Sequence, residues 1–163
     1  MPTYEAKAYS FDLLSEENVK RNVLPAYALE NAEIIQIKFK DTDKQRAVYK
    51  VTNGDEKYCL KKIYFSIEDL LFVYSSIEWL FRYDILVPRI IATKDKGRFV
   101  NYNDMLFILT PWIEGEKCSY DNIENVLKAS TNLANIHKST KKFRPIEGST
   151  KRIGFEDLYT SLS

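Results

Sequence analysis

Tyr58-Cys59-Leu60-Lys61-Lys62-Ile63 is an apolar, alternating run with two lysines set into it, and its reading decides the fold. Period-two alternation marks a strand with one face turned to a core. A lysine inside such a strand must reach either a cleft or a partner. The alternation places Cys59, Lys61 and Ile63 on one face and Tyr58, Leu60 and Lys62 on the other, and by itself does not choose between the two lysines. Upstream, Ala47-Val48-Tyr49-Lys50-Val51 reads as a second strand. The link Thr52-Asn53-Gly54-Asp55 contains Asn-Gly, a strong hairpin signal, so the two strands pair antiparallel.

Working outward, residues 32–40 alternate Ile35, Ile37 and Phe39 against Gln36, Lys38 and Lys40. With strands at 46–52 and 57–64 they form a three-stranded meander, turning first at Asp41-Thr42-Asp43-Lys44-Gln45. Residues 11–27 read as a leading helix, with Ser15 as N-cap before Glu16 and Glu17 and with Pro25 near its end. Ser66 caps a second helix, in which Glu68 and Asp69 suit the positive end of the helix dipole. Leu70, Val73, Ile77, Leu80 and Phe81 give it a core face, and it ends near Tyr83. Beyond Val87-Pro88, residues 89–93 and 105–113 read as further strands around the polar turn Lys94-Asp95-Lys96-Gly97. Glu114-Gly115-Glu116 breaks the pattern as a hinge would. Residues 122–138 then form a helix with Ile123, Val126, Leu127, Leu133, Ala134 and His137 on one face. A basic connection at 141–152 leads to a last helix beginning at Phe155.

The 163 residues fit one ordinary domain, or one lobe with part of a second. At 45% hydrophobic and 29% charged residues, the chain reads as globular rather than disordered. A formal charge of +1 supplies no field to gather nucleic acid or an anionic membrane, so neither is an expected partner. No signal peptide or long apolar run is evident, which places the chain in the cytoplasm. Cys59 and Cys118 lack metal-ligand spacing and read as free thiols, and with one histidine no metal site is expected.

Val48-Tyr49-Lys50-Val51, Tyr58-Cys59-Leu60-Lys61, Leu86-Val87-Pro88-Arg89-Ile90, Trp112-Ile113-Glu114-Gly115 and Leu133-Ala134-Asn135-Ile136-His137 occur in the order and rough spacing of aminoglycoside phosphotransferases. With Ala92-Thr93-Lys94-Asp95-Lys96-Gly97 and His137-Lys138-Ser139, the chain most resembles the CotS-type bacterial spore coat proteins, a kinase-like family of that superfamily. The resemblance runs from about Leu24 to Phe143. It implies an α+β fold: a protein-kinase-like small lobe at 1–113, with a five-stranded antiparallel sheet and one packed helix. A hinge and the first helices of a helical large lobe, cut short, would follow at 114–163. It implies ATP with Mg²⁺ as cofactor in the interlobe cleft, with Lys61 on the phosphates, Glu78 as its helix partner, and the backbone near Pro111, Trp112 and Ile113 on the adenine. The setting it implies is the mother cell and the spore coat, with other coat proteins as partners.

The sequence departs from active relatives in three places. The turn at 41–45 has no glycine, where close backbone approach to phosphates favours small residues. Counting back from Pro88 puts Tyr74, not a glutamate, at the position that pairs with the strand lysine, and Glu78 lies one turn later on the same side. No His-x-Asp catalytic loop occurs before Ser163, so no catalytic residue is assigned. These departures favour, as the alternative, a non-catalytic binding or assembly module of the coat. His137 reads as a structural histidine, and the basic stretch at 138–152 as a solvated loop.

Overall fold

The computed structural model describes residues 13–37, 47–116 and 118–150. They form five strands: β1 (Glu33–Gln36), β2 (Val48–Asn53), β3 (Glu56–Ile63), β4 (Val100–Tyr102) and β5 (Met105–Pro111). The α-helices are α1 (Glu16–Asn22), α2 (Ile67–Arg82) and α3 (Ile123–Thr140). The chain divides into two compact units, one within Met1–Tyr64 and Pro88–Glu116 and the other within Phe65–Val87 and Lys117–Ser163.

The first unit is one antiparallel sheet in the order β1-β2-β3-β5-β4. Its register fixes two faces. Tyr49 pairs with Leu60 and Leu60 with Leu109, so these side chains share a face. That face is the core: Tyr49, Val51, Leu60, Phe107 and Leu109 are buried together with Val19, Val23, Leu24, Leu29 and Ala32. The residues from α1 and the segment after it thus supply the second layer that a half-apolar sheet needs. Tyr49 also donates its hydroxyl to the Leu14 carbonyl at 2.6 Å, which satisfies the one polar atom that it carries into the core.

Two tight hairpins set the register. Asn53 pairs with Glu56 around Gly54-Asp55, and Gly54 sits at φ 61°, where a glycine carries no Cβ penalty. Tyr102 pairs with Met105 around Asn103 (φ 48°) and Asp104 (φ 59°). Positive φ at both central residues is the geometry in which right-twisted strands join without splaying.

The fourth strand corrects the sequence reading. Residues 89–93 are not a strand; Ile91 makes a single backbone bond to the Leu109 carbonyl at 2.8 Å, and the chain then passes to Ala26, whose carbonyl receives the Lys94 amide at 2.9 Å. The ladder partner of β5 is instead Val100–Tyr102, because the Asn103-Asp104 turn folds that segment back directly. The leading helix is also shorter than 11–27. It stops at Asn22 and continues as a 3₁₀ turn, Leu24–Tyr27, because Pro25 has no N–H to give and its ring crowds the preceding turn. Ser15 does cap it, accepting from the Asn18 amide. β1 ends at Gln36 and β5 at Pro111, and the expected turn at 41–45 and the helix from Phe155 lie outside the described residues.

In the second unit Ser66 caps α2, accepting from the Asp69 amide, and Asn122 caps α3, accepting from the Glu124 amide. The segment after α3 returns along α2. The Ile146 amide donates to Ser75 Oγ at 3.1 Å, the Thr150 amide to the Glu68 carbonyl at 3.2 Å, and Thr150 Oγ1 to Asp69 Oδ1 at 2.7 Å. Phe143 meets Phe72 and Trp79 edge-on with centroids 5.7 Å away in each case, and Trp79 Nε1 donates to the Ser139 carbonyl at 2.9 Å. Part of the basic connection is therefore a packed strap rather than a solvated loop. No residue of α3 is buried, and Ile123, Leu127, Leu133 and His137 of its apolar face are exposed. His137 is thus a surface residue, not a core one. Among the described residues no helix is long and apolar enough to cross a membrane.

Candidate functional site

The face of the sheet opposite the α1 side carries the polar residues of interest. Val48 pairs with Lys61, Lys50 with Cys59, and these two β3 residues pair in turn with Ile108 and Thr110 of β5. Trp112 extends the pairing by one step, its amide donating to the Lys57 carbonyl at 3.0 Å. One face therefore presents Lys50, Lys57, Cys59, Lys61, Thr110 and Trp112 in neighbouring rungs.

The structure separates the two lysines that alternation left open. Lys61 is exposed on this face, and no carboxylate of the described residues pairs with it. Lys62 is half-buried on the α1 side, its ammonium 4.4 Å from the centroid of the Tyr64 ring, and burial pulls its pKa down. A cation on an aromatic face already has a partner. Lys61 is the one available to an anion.

At the edge of the same face Lys57 Nζ meets Glu114 Oε1 at 3.1 Å. The Lys57 hydrogen bond and charge hold the Glu114 carboxyl below its ordinary range, with smaller help from the Trp112 side chain and from Lys50. Lys50 Nζ lies 4.9 Å from the centroid of the Trp112 ring. The segment after β5 is thereby fastened to β2 and β3 by charge and aromatic contacts. Next to it Ile113 is exposed, and no backbone carbonyl of the described residues receives its amide. Cys59 is half-buried, and burial pushes its thiol up against the opposing influence of Lys61.

Of the residues singled out from sequence, Lys61, Pro111, Trp112 and Ile113 belong to the sheet unit. Pro111 closes β5 opposite Tyr58. Glu78 and Tyr74 are half-buried on α2, in the other unit. Lys50, Lys57 and Glu114 were not singled out, although alternation through Lys57-Tyr58-Cys59 puts Lys57 on the Lys61 face and the two-residue hairpin register puts Lys50 there as well. Among the described residues no three His, Cys, Asp or Glu side chains gather so as to hold a metal ion.

A five-stranded antiparallel sheet of this order, followed by a long helix after β3 and an open segment after β5, points to one fold. The fold is kinase-like. The chain matches the crystal structure of a spectinomycin phosphotransferase in complex with ADP and spectinomycin, at TM-score 0.63 and 17% identity over 77% of this chain and 38% of that one. An aminoglycoside phosphotransferase from Alicyclobacillus acidocaldarius matches at TM-score 0.59 and 17% identity, over 86% of this chain and 40% of its own. A microcompartment-associated aminopropanol kinase matches at TM-score 0.61 and 16% identity, over 83% and 44%. The kinase-like chain thus spans less than half the length of these proteins. No family model matches its sequence, and no curated protein does.

Proposed function

We propose that the sheet face carrying Lys61 binds the phosphates of a nucleotide, ATP in the first instance, and that the chain is the amino-terminal portion of a kinase-like spore coat protein of the CotS type. The observation that carries this is the placement of Lys61: exposed, unpaired with any carboxylate of the described residues, and on the rung beside Cys59 and Thr110. A cation held there has lost little hydration, and no carboxylate of the described residues competes with a phosphate for it. The backbone at Pro111, Trp112 and Ile113 takes the base, and the exposed Ile113 amide, which no backbone carbonyl of the described residues receives, is suited to a ring nitrogen. The spectinomycin phosphotransferase, with the same fold, holds ADP, which supports the choice of ligand.

Nothing in the described residues is assigned to the Mg²⁺ that accompanies ATP. Phosphate transfer, to a small-molecule hydroxyl by analogy of fold, would require acidic residues that the chain does not contribute in a recognisable catalytic loop. The expected setting is the mother cell and the assembling coat. A thermal-shift titration with ATP and Mg²⁺ tests the binding claim: the melting temperature rises with ATP, and the rise disappears in Lys61→Ala. A flat response in the unsubstituted chain would refute it.

A second reading, a non-catalytic assembly module that binds other coat proteins, is favoured by Tyr74 at the place of the helix glutamate and by the exposed apolar face of α3. It expects capture of a coat protein that is lost when Ile123 and Leu127 are replaced by polar residues, with no response to nucleotide.

A further inference from the structure

Lys50 stands on β2 and Trp112 directly follows β5, and these two strands are not neighbours. β3 lies between β2 and β5, so the two backbones are separated by two strand spacings, about 9.5 Å. With Lys50 Nζ 4.9 Å from the Trp112 centroid, the lysine side chain and the indole together bridge β3 on the face where Lys50 pairs with Cys59. They therefore cover the strip of sheet that lies between Lys61 and the segment after β5. Lys50 is half-buried, and so is Cys59 on the strand they bridge. The Trp112 ring is held from a second side, since Glu114, bound to Lys57, interacts with its side chain.

We propose that Lys50 is a specificity-determining cap: its ammonium covers the surface of the Trp112 ring on which a base would stack, so base binding requires its displacement. This rests on the nucleotide reading of the same face and adds what that reading lacks, a residue that sets affinity for the base separately from affinity for the phosphates. A half-buried lysine over an indole is a modest contact, and base-on-aromatic stacking is at least as strong. The exchange is favourable but discounted, and the discount depends on how well residue 50 binds the ring. Arginine stacks on aromatic faces better than lysine, whereas threonine keeps strand propensity and cannot reach the ring.

Calorimetric titration of the full chain with adenosine, which has no phosphate, and with ATP separates the two contributions. Lys50→Thr is expected to bind adenosine about two- to five-fold more tightly than the unsubstituted chain, and Lys50→Arg more weakly by a similar factor. Lys61→Ala is expected to weaken ATP and leave adenosine unchanged. The Lys50→Arg arm also guards against a fold defect, because that variant keeps both the charge and the stem. If Lys50→Thr binds adenosine equally or more weakly while the unsubstituted chain binds ATP, the cap is overturned and the nucleotide reading stands. If the unsubstituted chain binds neither ligand, the nucleotide reading fails and the cap with it.

Discussion

Lys57 Nζ and Glu114 Oε1 lie 3.1 Å apart, tying the start of β3 to the segment that leaves β5. Both side chains are open to solvent, Glu114 more than Lys57, so the pair adds little to global stability. Its role is local: it fixes where the chain goes after the sheet, beside the Trp112 ring.

The pH dependence of that pair has a definite sign. The Glu114 carboxyl is depressed below its ordinary 4.5, chiefly by Lys57. A depressed folded-state pKa contributes stability that is present above the ordinary glutamate value and is lost as pH falls through the lowered one. In Lys57→Met the Glu114 titration, followed by carboxyl carbon resonances, is expected to return toward 4.5. A midpoint unmoved by the substitution would mean that Lys57 is not the cause.

The two thiols are expected to differ in reactivity. Cys118 is exposed, whereas Cys59 is half-buried with its thiol pushed up, and the thiolate is the reactive form. A maleimide or disulfide reagent followed by peptide mass mapping is expected to label Cys118 first. Saturating ATP slows Cys59 further and leaves Cys118 unchanged. Equal rates at both sites, or no protection of Cys59, would count against its placement under the ligand.

Much of this arrangement was legible in the sequence because strand alternation and capping are local signals. The β2–β3 hairpin, the Ser15 and Ser66 caps and the separation of Lys61 from Lys62 by face all follow from spacing. The strand at 89–93 failed because two adjacent isoleucines, Ile90 buried and Ile91 half-buried, fill a non-strand segment as readily as a strand. Asn103-Asp104, two residues tolerant of positive φ in succession, is the local signal that marks the turn into β5. The Lys50–Trp112 contact could not be read from either strand alone, since it spans the intervening β3.

Tyr49 is the largest fully buried side chain among the described residues, and its hydroxyl donates to the Leu14 carbonyl. Tyr49→Phe leaves that carbonyl without its donor and is expected to destabilise the chain by about 0.5–1.5 kcal/mol in urea unfolding. Leu60→Ala, which opens a cavity at the middle of the same sheet, is expected to cost about 2–5 kcal/mol. A Tyr49→Phe chain as stable as the original would show that the hydroxyl bond contributes nothing.

The strap after α3 gives a separate test of the second unit. Phe143 makes edge contacts with both Phe72 and Trp79, each worth roughly 0.5–1.5 kcal/mol beyond burial. In Phe143→Ala, hydrogen exchange is expected to quicken in α2 and α3 while β2 and β3 keep their protection. A uniform loss across the sheet would show that the two compact units do not open separately.

The most direct test of the central claim is to map ATP by amide chemical shifts on the isotope-labelled chain. Cys59, Lys61, Trp112 and Ile113 are expected to move most, with the phosphate-dependent part at Lys61 absent when adenosine replaces ATP. Largest shifts on the exposed face of α3, or none at saturating ATP, would contradict it.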